Sequence, residues 1–524
     1  MQDRRTARNA PHRVSRPLAI AIALLVAAAT TLLAAQRADA GSYVVSQCSG
    51  SNPSAGQARW ERSSDHYRGR SGCGTGTGLA VFQDAAESGL WHYGAWVWRA
   101  PQGTVFTSVQ ANASLTYQAG HRGQLVVTRP GGALVEFGSE HADFRVHSIG
   151  GEFTQFHSWL RCVAPGAGRP CGRAGSESGH AYVRGVFLRT EDRAAPNVEL
   201  SGGSLLADPV VRGVRALAFT AADAGSGIRR VYVEGNDALL GEDVRNCAIA
   251  AGFATALSPC PASSAASVAV PTANPSFATG PNVVEACVED LALDGTPNRS
   301  CRRAPSWVDN VCPGSAAPAT GLSAGFEGGE SATVRSDRPA RLRGRVTGSS
   351  GPVAGATVCA LTRTRIVGAP VVVGALATSG PDGRYELELA PGPGREVFVH
   401  HASGDRVIAR HGLAVRSIVR PTLAVDPGRA RAGDRLDFTG TLPGPACGDR
   451  LVKVQARIGK RRWQVFRTDR SDSGCAFAAR YRLRATRSAK RYRFRTLVPA
   501  QAGYPYEPGY SAIVTVRIEH PDRG

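Results

Sequence analysis

The sequence has little of what helices and catalytic centres usually need. It holds one Met and three Lys among 524 residues, and only 7% of its residues are aromatic. No apolar run of spanning length follows residue 40, which excludes a further membrane-spanning helix. A CxxC pair, HExxH, a Walker loop, GxGxxG and an EF-hand loop are all absent. These absences argue against a zinc centre and a nucleotide-binding enzyme, and no metal or cofactor is expected.

Turn residues and short alternating runs take the place of those features. Gly occurs 61 times and Pro 32 times, and clusters of Gly, Pro, Asp and Ser separate runs in which apolar and polar residues alternate. Alternation with a period of two is typical of half-buried strands. A chain of 524 residues is also too long for one core. The sequence therefore predicts an all-β protein built of tandem β-sandwiches.

The first forty residues are predicted to be a signal peptide. Several Arg precede an apolar segment from Leu18 to Ala35, and Ala38 and Ala40 occupy the small-residue positions of a cleavage site. We expect cleavage before Gly41, with an uncleaved anchor as the alternative. The mature chain is then expected to be secreted, or held at the cell surface by non-covalent binding.

The twelve cysteines agree with export. Their number is even, and disulfides are the default state of cysteine in an exported chain. Sequence alone does not fix the connectivity, but pairing nearest neighbours keeps each bridge within one proposed domain. That pairing gives Cys48–Cys73, Cys162–Cys171, Cys247–Cys260, Cys287–Cys301, Cys312–Cys359 and Cys447–Cys475.

Composition and turn clusters divide the mature chain into four units, at 41–192, 193–311, 312–419 and 420–524. The first holds five of the 7 Trp. Its segment from Trp91 to Thr104 joins two apolar strands through an Ala-Pro-x-Gly-Thr turn and resembles a lectin-like jelly roll of the concanavalin type. That resemblance implies sugar binding by exposed aromatic rings. The candidates are Trp91, Tyr93, Trp98 and Trp159, and the alternative is that these rings fill the core.

A second candidate site in this unit is the run from His141 to His147. On a strand, Ala142, Phe144 and Val146 would share one face. The opposite face would then carry the polar residues His141, Asp143, Arg145 and His147. This face could bind a ligand, or it could be the solvated side of an edge strand.

The second unit contains two turn motifs. Asp223-Ala224-Gly225-Ser226-Gly227-Ile228 separates two predicted strands, and Asp290 to Asn298 follows the strand near the end of the unit. Together they resemble a bacterial Ig-like module, in which a D-x-x-S-G-I turn and a D-x-x-G-N-like turn close pairs of strands. The spacing from Asp290 to Asn298 is longer than in the usual turn.

The third unit carries a longer motif. Arg343-Gly344-Arg345-Val346 leads through Gly351–Val358 to Asp382-Gly383-Arg384-Tyr385. This pattern resembles the carboxypeptidase regulatory-like, prealbumin-type sandwich, a module that is not itself a peptidase. Val346, Val358 and Tyr385 are predicted to be core positions of strands, and Gly351 and Gly383 are predicted to lie in hairpin turns.

The fourth unit is strongly basic and resembles the Ig-like tail modules of secreted actinobacterial proteins. Residues 421–524 carry 21 Lys and Arg against 9 Asp and Glu, a net charge of +12. The net charge of the whole chain is +20. Two predicted strands alternate apolar residues with Arg, a side chain suited to forked contacts with phosphate or carboxylate. An anionic envelope polymer is the expected partner, with a solvated face as the alternative and no nucleic acid expected. The candidates are Arg480, Arg482, Arg484, Arg491, Arg493 and Arg495.

These patterns favour a non-catalytic secreted or surface protein that binds carbohydrate or an anionic polymer through its terminal units. A glycan-active hydrolase is the first alternative, and a purely structural spacer is the second. A glycosidase needs two facing carboxylates, and Glu61, Asp84, Glu87, Glu136, Glu140, Asp143 and Glu152 are available. The G-x-S-x-G match at Gly175–Gly179 lies in a Gly-rich loop and is interpreted as chance, since a nucleophile elbow joins a strand to a helix.

Overall fold

The computed structural model describes residues 41–519, apart from 51, 55, 85–88, 139, 164–170, 172–179, 432 and 483–489. Within these ranges the protein is all-β and consists of tandem β-sandwiches, as the alternation predicts. One short helix, α1 (Ser204–Ala207), and one 3-10 turn (Cys73–Thr75) interrupt the strands. No helix of the described chain is long and apolar enough to cross a bilayer. The predicted signal peptide, residues 1–40, lies outside the described residues.

The first unit is a sandwich of two sheets. Its strands are β1 (Ser42–Gln47), β2 (Arg59–Arg62), β3 (Tyr67–Gly72), β4 (Gly78–Gln83), β5 (Tyr93–Arg99), β6 (Thr104–Leu115), β7 (Tyr117–Gln118), β8 (His121–Thr128), β9 (Leu134–Glu136), β10 (His141–Phe153), β11 (Gln155–Cys162) and β12 (His180–Asp192). One sheet has the order β2-β5-β11-β8-β7, with β9 beside β8. Trp98, Phe106, Phe153 and Phe156 are fully buried in the core between the two sheets.

The larger sheet of this unit also recruits strands from the second unit. Its order is β10-β6-β12-β1, followed by β18 (Phe253–Ala254) and β17 (Ile249–Ala250), with β4 beside β12 and β3 beside β4. Val45 of β1 pairs in parallel with Ala254 of β18. The sheet therefore crosses the boundary predicted after residue 192.

The second unit packs a three-stranded sheet against a four-stranded one. Its other strands are β13 (Asn197–Gly202), β14 (Val214–Ala222), β15 (Ile228–Gly235), β16 (Ala238–Val244), β19 (Ser263–Pro271), β20 (Gly280–Asp290) and β21 (Arg299–Val308). The sheet orders are β13-β14-β19 and β16-β15-β20-β21. Phe219, Val231 and Val288 are among the buried residues between them.

The third unit also contains two sheets. Its strands are β22 (Gly321–Phe326), β23 (Ser331–Arg335), β24 (Ala340–Gly348), β25 (Gly351–Pro352), β26 (Thr357–Thr364), β27 (Val371–Thr378), β28 (Arg384–Leu389), β29 (Arg395–Ser403) and β30 (Arg406–Ile418). The orders are β22-β24-β25, with β28 beside β24, and β23-β30-β29-β26-β27. Val346, Val358 and Tyr385 lie in the core, as the sequence predicts. The left-handed φ of Gly383 (75°) closes the turn into β28.

The fourth unit also packs two sheets against each other. Its strands are β31 (Ala424–Asp426), β32 (Arg429–Arg431), β33 (Arg435–Thr441), β34 (Leu451–Ile458), β35 (Gln464–Arg470), β36 (Ala476–Arg482), β37 (Lys490–Val498), β38 (Gly509–Tyr510) and β39 (Val514–Glu519). One sheet is β31-β33-β36, and the other is β32-β39-β37-β34-β35, with β38 beside β37. Phe438, Phe494 and Val516 are buried between them.

Six disulfides join all twelve cysteines. They are the same six that nearest-neighbour pairing gives: Cys48–Cys73, Cys162–Cys171, Cys247–Cys260, Cys287–Cys301, Cys312–Cys359 and Cys447–Cys475. Disulfides at this density are typical of an oxidising compartment.

Three carboxylic acids are buried where the first two units meet. Asp192, Asp223 and Asp290 are at most 5% exposed. Burial is the main reason that the pKa of Asp223 is raised to about 6 and that of Asp290 to about 7, and the Asp192 carboxylate raises both further. The side chain of Asn298 donates to Asp290 (2.6 Å) and to the backbone carbonyl of Asp192 (2.9 Å), so it ties the two units together.

Candidate functional site

The aromatic residues predicted to bind sugar do not form one open surface. Trp98 is completely buried, stacks on Phe156 at 4.8 Å, and donates its indole N–H to a side chain of β1. Trp159 is 6% exposed and donates its N–H to Gln124 (3.1 Å). Tyr93 is half-buried, and Trp91 is 54% exposed. Trp98 therefore follows the alternative that the sequence left open, because it belongs to the core.

Neighbouring side chains contact the aromatic rings on this side of the sheet. The Arg161 guanidinium lies 4.7 Å from the ring centroid of Trp91 and 4.9 Å from that of Trp159. Tyr93 packs against Trp159 at 5.7 Å between centroids, and His157 packs against it at 5.4 Å. These contacts stabilise this side of the sheet and leave Trp91 as the one exposed ring among the four candidates.

The polar face predicted for residues 141–147 is not formed as expected. The register of β10 shifts between His141 and Arg145, and this irregularity breaks the strict alternation on which the prediction relied. His147 is buried, whereas the apolar side chain of Val146 is 61% exposed. Burial lowers the pKa of His147 and favours its neutral form. Asp143 remains exposed, and the prediction of a shared exposed polar face is wrong for His147.

The two arginine-rich strands alternate as predicted but belong to different sheets. Arg480 and Arg482 point outward from β36, while Arg491, Arg493 and Arg495 point outward from β37. The two sheets form opposite sides of one sandwich, so these residues do not make a single patch. Arg480 lies 3.3 Å from Asp437, and Arg482 donates to the carbonyl of Gly433 (2.9 Å). Arg484 lies outside the described residues.

The β37 arginines instead join arginines of neighbouring strands. In the antiparallel pairing, Arg491 lies directly opposite Arg517 of β39, and Arg493 lies directly opposite Arg457 of β34. Arg517 in turn neighbours Arg429 of β32. We call this surface the arginine face and define it as Arg429, Arg457, Arg491, Arg493, Arg495 and Arg517.

The arginine face has almost no internal counter-charge. Among the described residues, no carboxylate forms an ion pair with any of its six arginines. Glu519 shares the surface at the end of β39, where it stands opposite Arg431. Side chains directly opposite each other in an antiparallel pair have Cβ atoms about 4.5–5.5 Å apart, and like charges at that distance are destabilising. The isolated sheet is therefore less stable for carrying these residues in this order.

Aromatic side chains hold one edge of the arginine face in place. The guanidinium carbons of Arg457 and Arg495 lie 4.8 and 4.2 Å from the ring centroid of Trp463. Arg495 also lies 3.8 Å from the ring centroid of Tyr510 and donates to Gln455 (2.8 Å). Cation–π contacts of this kind fix the direction of a guanidinium group without neutralising its charge.

Sequence reasoning missed half of this surface. Arg429, Arg457 and Arg517 come from three different strands, and their proximity depends on strand pairing that the sequence does not specify. One local signal was available, because Arg517 lies between the buried residues Val516 and Ile518 and so had to point outward. Trp463 lies in the loop before β35 and carried no periodic signal.

Five of the carboxylates named for a glycosidase are engaged with arginines, and Asp143 is exposed. Glu61 pairs with Arg99, and this hydrogen bond lowers the pKa of Glu61. The remaining ion pairs are Asp84–Arg68, Glu136–Arg122, Glu140–Arg122 and Glu152–Arg193. Glu87 and the G-x-S-x-G residues 175–179 lie outside the described residues. A glycosidase acid needs a raised pKa, and Glu61 is shifted the opposite way.

In the described part of the chain, two clusters bring possible metal ligands together, and both include cysteines that already form disulfides. Glu285 lies with Cys287 and Cys301, and Asp309 lies with Cys312 and His400. In the second cluster the Asp309 carboxylate is 2.8 Å from Nδ1 of His400, whose Nε2 is 2.9 Å from Nε2 of His411. Burial is the main reason that the pKa of His411 falls to about 4, so His411 is neutral at pH 7. The row of hydrogen bonds from Asp309 through His400 to His411 joins the second unit to the third.

Comparison with known proteins does not add a family. No protein-family model matches the chain, and no curated protein matches it. The function is therefore argued from the geometry of the surfaces described above.

Proposed function

We propose that this chain is a non-catalytic secreted or cell-surface protein that binds a linear polyanion through the arginine face. Residues 193–419 act as a spacer between that face and the first unit. The predicted signal peptide and the six disulfides support a location outside the cytoplasm.

The cross-strand pairing of arginines is the observation that carries this proposal. Arg491 opposes Arg517 and Arg493 opposes Arg457, and the described residues offer no ion pair to any of them. This pairing of like charges destabilises the free sheet, and a bound anion would neutralise the repulsion. Binding then stabilises the folded state by the usual linkage between ligand affinity and unfolding.

The spacing of the guanidinium groups favours a polymer over a small anion. Neighbouring strands are about 4.8 Å apart, and alternate residues along one strand are about 7 Å apart. Charges at these intervals across β34, β37 and β39 match repeated phosphate or carboxylate groups along a chain. Arg makes forked contacts with either group, so the shared chemistry is a regularly spaced oxyanion.

The resemblances found in the sequence are carried forward as part of this proposal. We assign the units, in order, as a concanavalin-type jelly roll, an Ig-like module, a carboxypeptidase regulatory-like module and an Ig-like module. The hydrogen bond from the backbone N–H of Gly227 to Asp223 (2.7 Å) supports the Ig-like turn in the second unit. A spacer needs no site of its own, which agrees with the assignment of the middle units.

The test measures binding of residues 41–524 to fluorescein-labelled inorganic polyphosphate and to poly-L-glutamate by anisotropy. Comparing the two probes separates phosphate from carboxylate as the preferred oxyanion. The variant Arg491→Gln/Arg493→Gln removes two charges from the arginine face. The matched control, Arg341→Gln/Arg343→Gln, removes two exposed arginines of β24 that are already paired with glutamates.

We expect the first variant to lose affinity by about tenfold or more, because each oxyanion contact contributes roughly 1 kcal/mol or more. For this variant the slope of log K against log salt concentration should also be shallower by about two, one unit for each lost contact. The control variant should bind as the natural chain does. Equal losses in both variants would show that only net charge matters, and no binding by the natural chain would contradict the polyanion proposal.

A further inference from the structure

A groove crosses the outer face of the larger sheet in the first unit, on the side opposite the aromatic candidates. It consists of two cavities of about 520 and 370 Å³ that share Gln110 and Phe187. The floor comes from alternate residues of β6, namely Ser108, Gln110 and Asn112. Ser108 and Asn112 are four residue steps apart, about 13 Å along the strand, so the groove is long enough for more than one sugar ring.

Uncharged hydrogen-bonding groups form the floor of the groove. Amides of Gln110 and Asn112 lie on its floor, and the hydroxyls of Ser108 and Ser148 lie beside them. The Oδ1 atom of Asn112 is buried and has no hydrogen-bond partner among the described residues. Buried acceptors of this kind are normally satisfied, and because the Asn112 side chain is only half-buried, a rotation of its amide would present this oxygen to a donor from a ligand.

Apolar surface stands next to these polar groups. Val146 is 61% exposed at one wall, and the half-buried ring of Phe187 separates the two cavities. Phe253 of β18 packs edge-on against Phe187 at 5.6 Å and holds this ring in place. Apolar surface beside a few directed polar groups is the usual composition of a small-molecule site.

Two arginines stand at the rim of the groove, and one of them is ion-paired. Arg189 is paired with Asp294 and donates to Ser42 (2.9 Å), and Arg184 lies 3.9 Å from the ring centroid of Phe144. No Asp or Glu is among the residues that line either cavity. An anion would therefore meet a single arginine, Arg184, that has no carboxylate partner among the described residues, and hydrolysis would find no carboxylate.

We propose that this groove binds a neutral oligosaccharide of two or more sugar residues. Hydroxyl groups of the sugar would donate to Asn112 Oδ1 and exchange hydrogen bonds with Gln110 and Ser148, while ring C–H groups would contact Val146 and Phe187. This site is independent of the arginine face, so the chain would hold two different polymers at its two ends.

Gly150 offers a way to block the groove without disturbing the fold. It lines the groove on β10, and a Cβ atom added there meets nothing within 4 Å. The variant Gly150→Phe therefore places a ring in the groove. Gly328→Phe is the matched control, since Gly328 in the third unit is equally open. Asn112→Ala removes the acceptor, and Gln118→Ala is its control on the exposed strand β7.

The experiment is isothermal titration of residues 41–524 with cellohexaose, maltohexaose and chitohexaose, and with hexagalacturonate as the anionic probe. We expect at least one neutral hexasaccharide to bind, and both Gly150→Phe and Asn112→Ala to weaken it by tenfold or more, while the two controls bind normally. Absence of neutral binding, tighter binding of hexagalacturonate, or binding that survives Gly150→Phe would each overturn the proposal. Because Arg491→Gln/Arg493→Gln leaves this groove intact, failure here is distinguishable from failure of the polyanion proposal.

Discussion

Two sheets of this molecule carry rows of arginine, and they differ in the residues that lie opposite those arginines. On the outer face of the third unit, Arg341 and Arg343 of β24 stand directly opposite Glu388 and Glu386 of β28, at 3.3 and 2.8 Å. On the arginine face of the fourth unit, Arg493 stands directly opposite another arginine, Arg457. The first row is neutralised by its own sheet, and the second is not.

The difference shows which surface is built to remain alone and which is built to meet an anion. Cross-strand pairs of opposite charge stabilise a sheet by roughly 0.2–1 kcal/mol, and like charges destabilise it. The third unit does contain one like pair, Arg345 opposite Arg384, but the carboxylate of Asp382 lies 3.5 Å from Arg384. The second unit follows the neutral pattern, with Arg303 opposite Glu285 at 2.7 Å. The fourth unit thus departs from its two predecessors.

The largest effect is expected from making the fourth unit resemble the third. The variant Arg493→Glu places a carboxylate opposite Arg457 and creates the cross-strand pair that the spacer units use. Polyphosphate affinity should fall by about 100-fold, because one contact is lost and a repulsive charge is added, together worth roughly 3 kcal/mol. Anisotropy with labelled polyphosphate measures the loss, and Arg343→Glu in the third unit is the control that should leave affinity unchanged.

A second prediction uses pH to separate the two kinds of carboxylate. The hydrogen bond from Arg343 lowers the pKa of Glu386, so its stabilising contribution is present above the ordinary glutamate pKa and is lost as pH falls through the lower folded value. Asp223 and Asp290 have raised pKa values of about 6 and about 7, so their burial is favourable below the ordinary aspartate pKa and becomes unfavourable as pH rises through those values.

Amide hydrogen exchange from pH 3 to 8 should therefore show opposite trends in two places, after correction for the intrinsic pH dependence of exchange. On acidification, protection of β24 and β28 should decrease, while protection of β20 at the junction should increase by about tenfold per unit of pKa shift. Parallel trends at the two places would contradict the assignment of the buried carboxylates. Asp290→Asn should abolish most of the change in β20.

The converse exchange makes the third unit resemble the fourth. Glu386→Gln/Glu388→Gln leaves Arg341 and Arg343 without carboxylate partners. We expect a gain of weak polyphosphate binding, up to about fivefold above the natural third unit, in a background that already carries Arg491→Gln/Arg493→Gln. The same change should slightly lower the free energy of unfolding of the third unit. Unchanged binding would mean that exposed arginine rows alone are not enough.

The smallest expected effect comes from the aromatic support. Trp463→Leu removes the ring that contacts Arg457 and Arg495 but leaves every charge in place. Affinity for polyphosphate should fall about two- to threefold, since an exposed cation–π contact contributes roughly 0.5–1 kcal/mol. The salt dependence should not change, and this separates loss of orientation from loss of charge. A change in slope would contradict the supporting role given to Trp463.

Local sequence patterns predicted much of this architecture. Alternation identified the strands and their inward residues, as Val346, Val358 and Tyr385 show. Nearest-neighbour pairing matched the disulfides because each joins cysteines that are adjacent in sequence order. The prediction from alternation failed where the strand register shifts, as at His147 in β10. It also could not place β36 and β37 in different sheets, because strand partners such as Arg457 and Arg493 are set by long-range pairing.

Binding and stability are linked at the arginine face, and one measurement addresses both. Amide hydrogen exchange of β37 peptides would be recorded for the natural chain and for Arg491→Gln/Arg493→Gln, each with and without saturating polyphosphate. The account predicts that without ligand the variant is better protected, and that polyphosphate slows exchange in the natural chain but not in the variant. A variant that exchanges faster without ligand, or that is protected equally by polyphosphate, would contradict it.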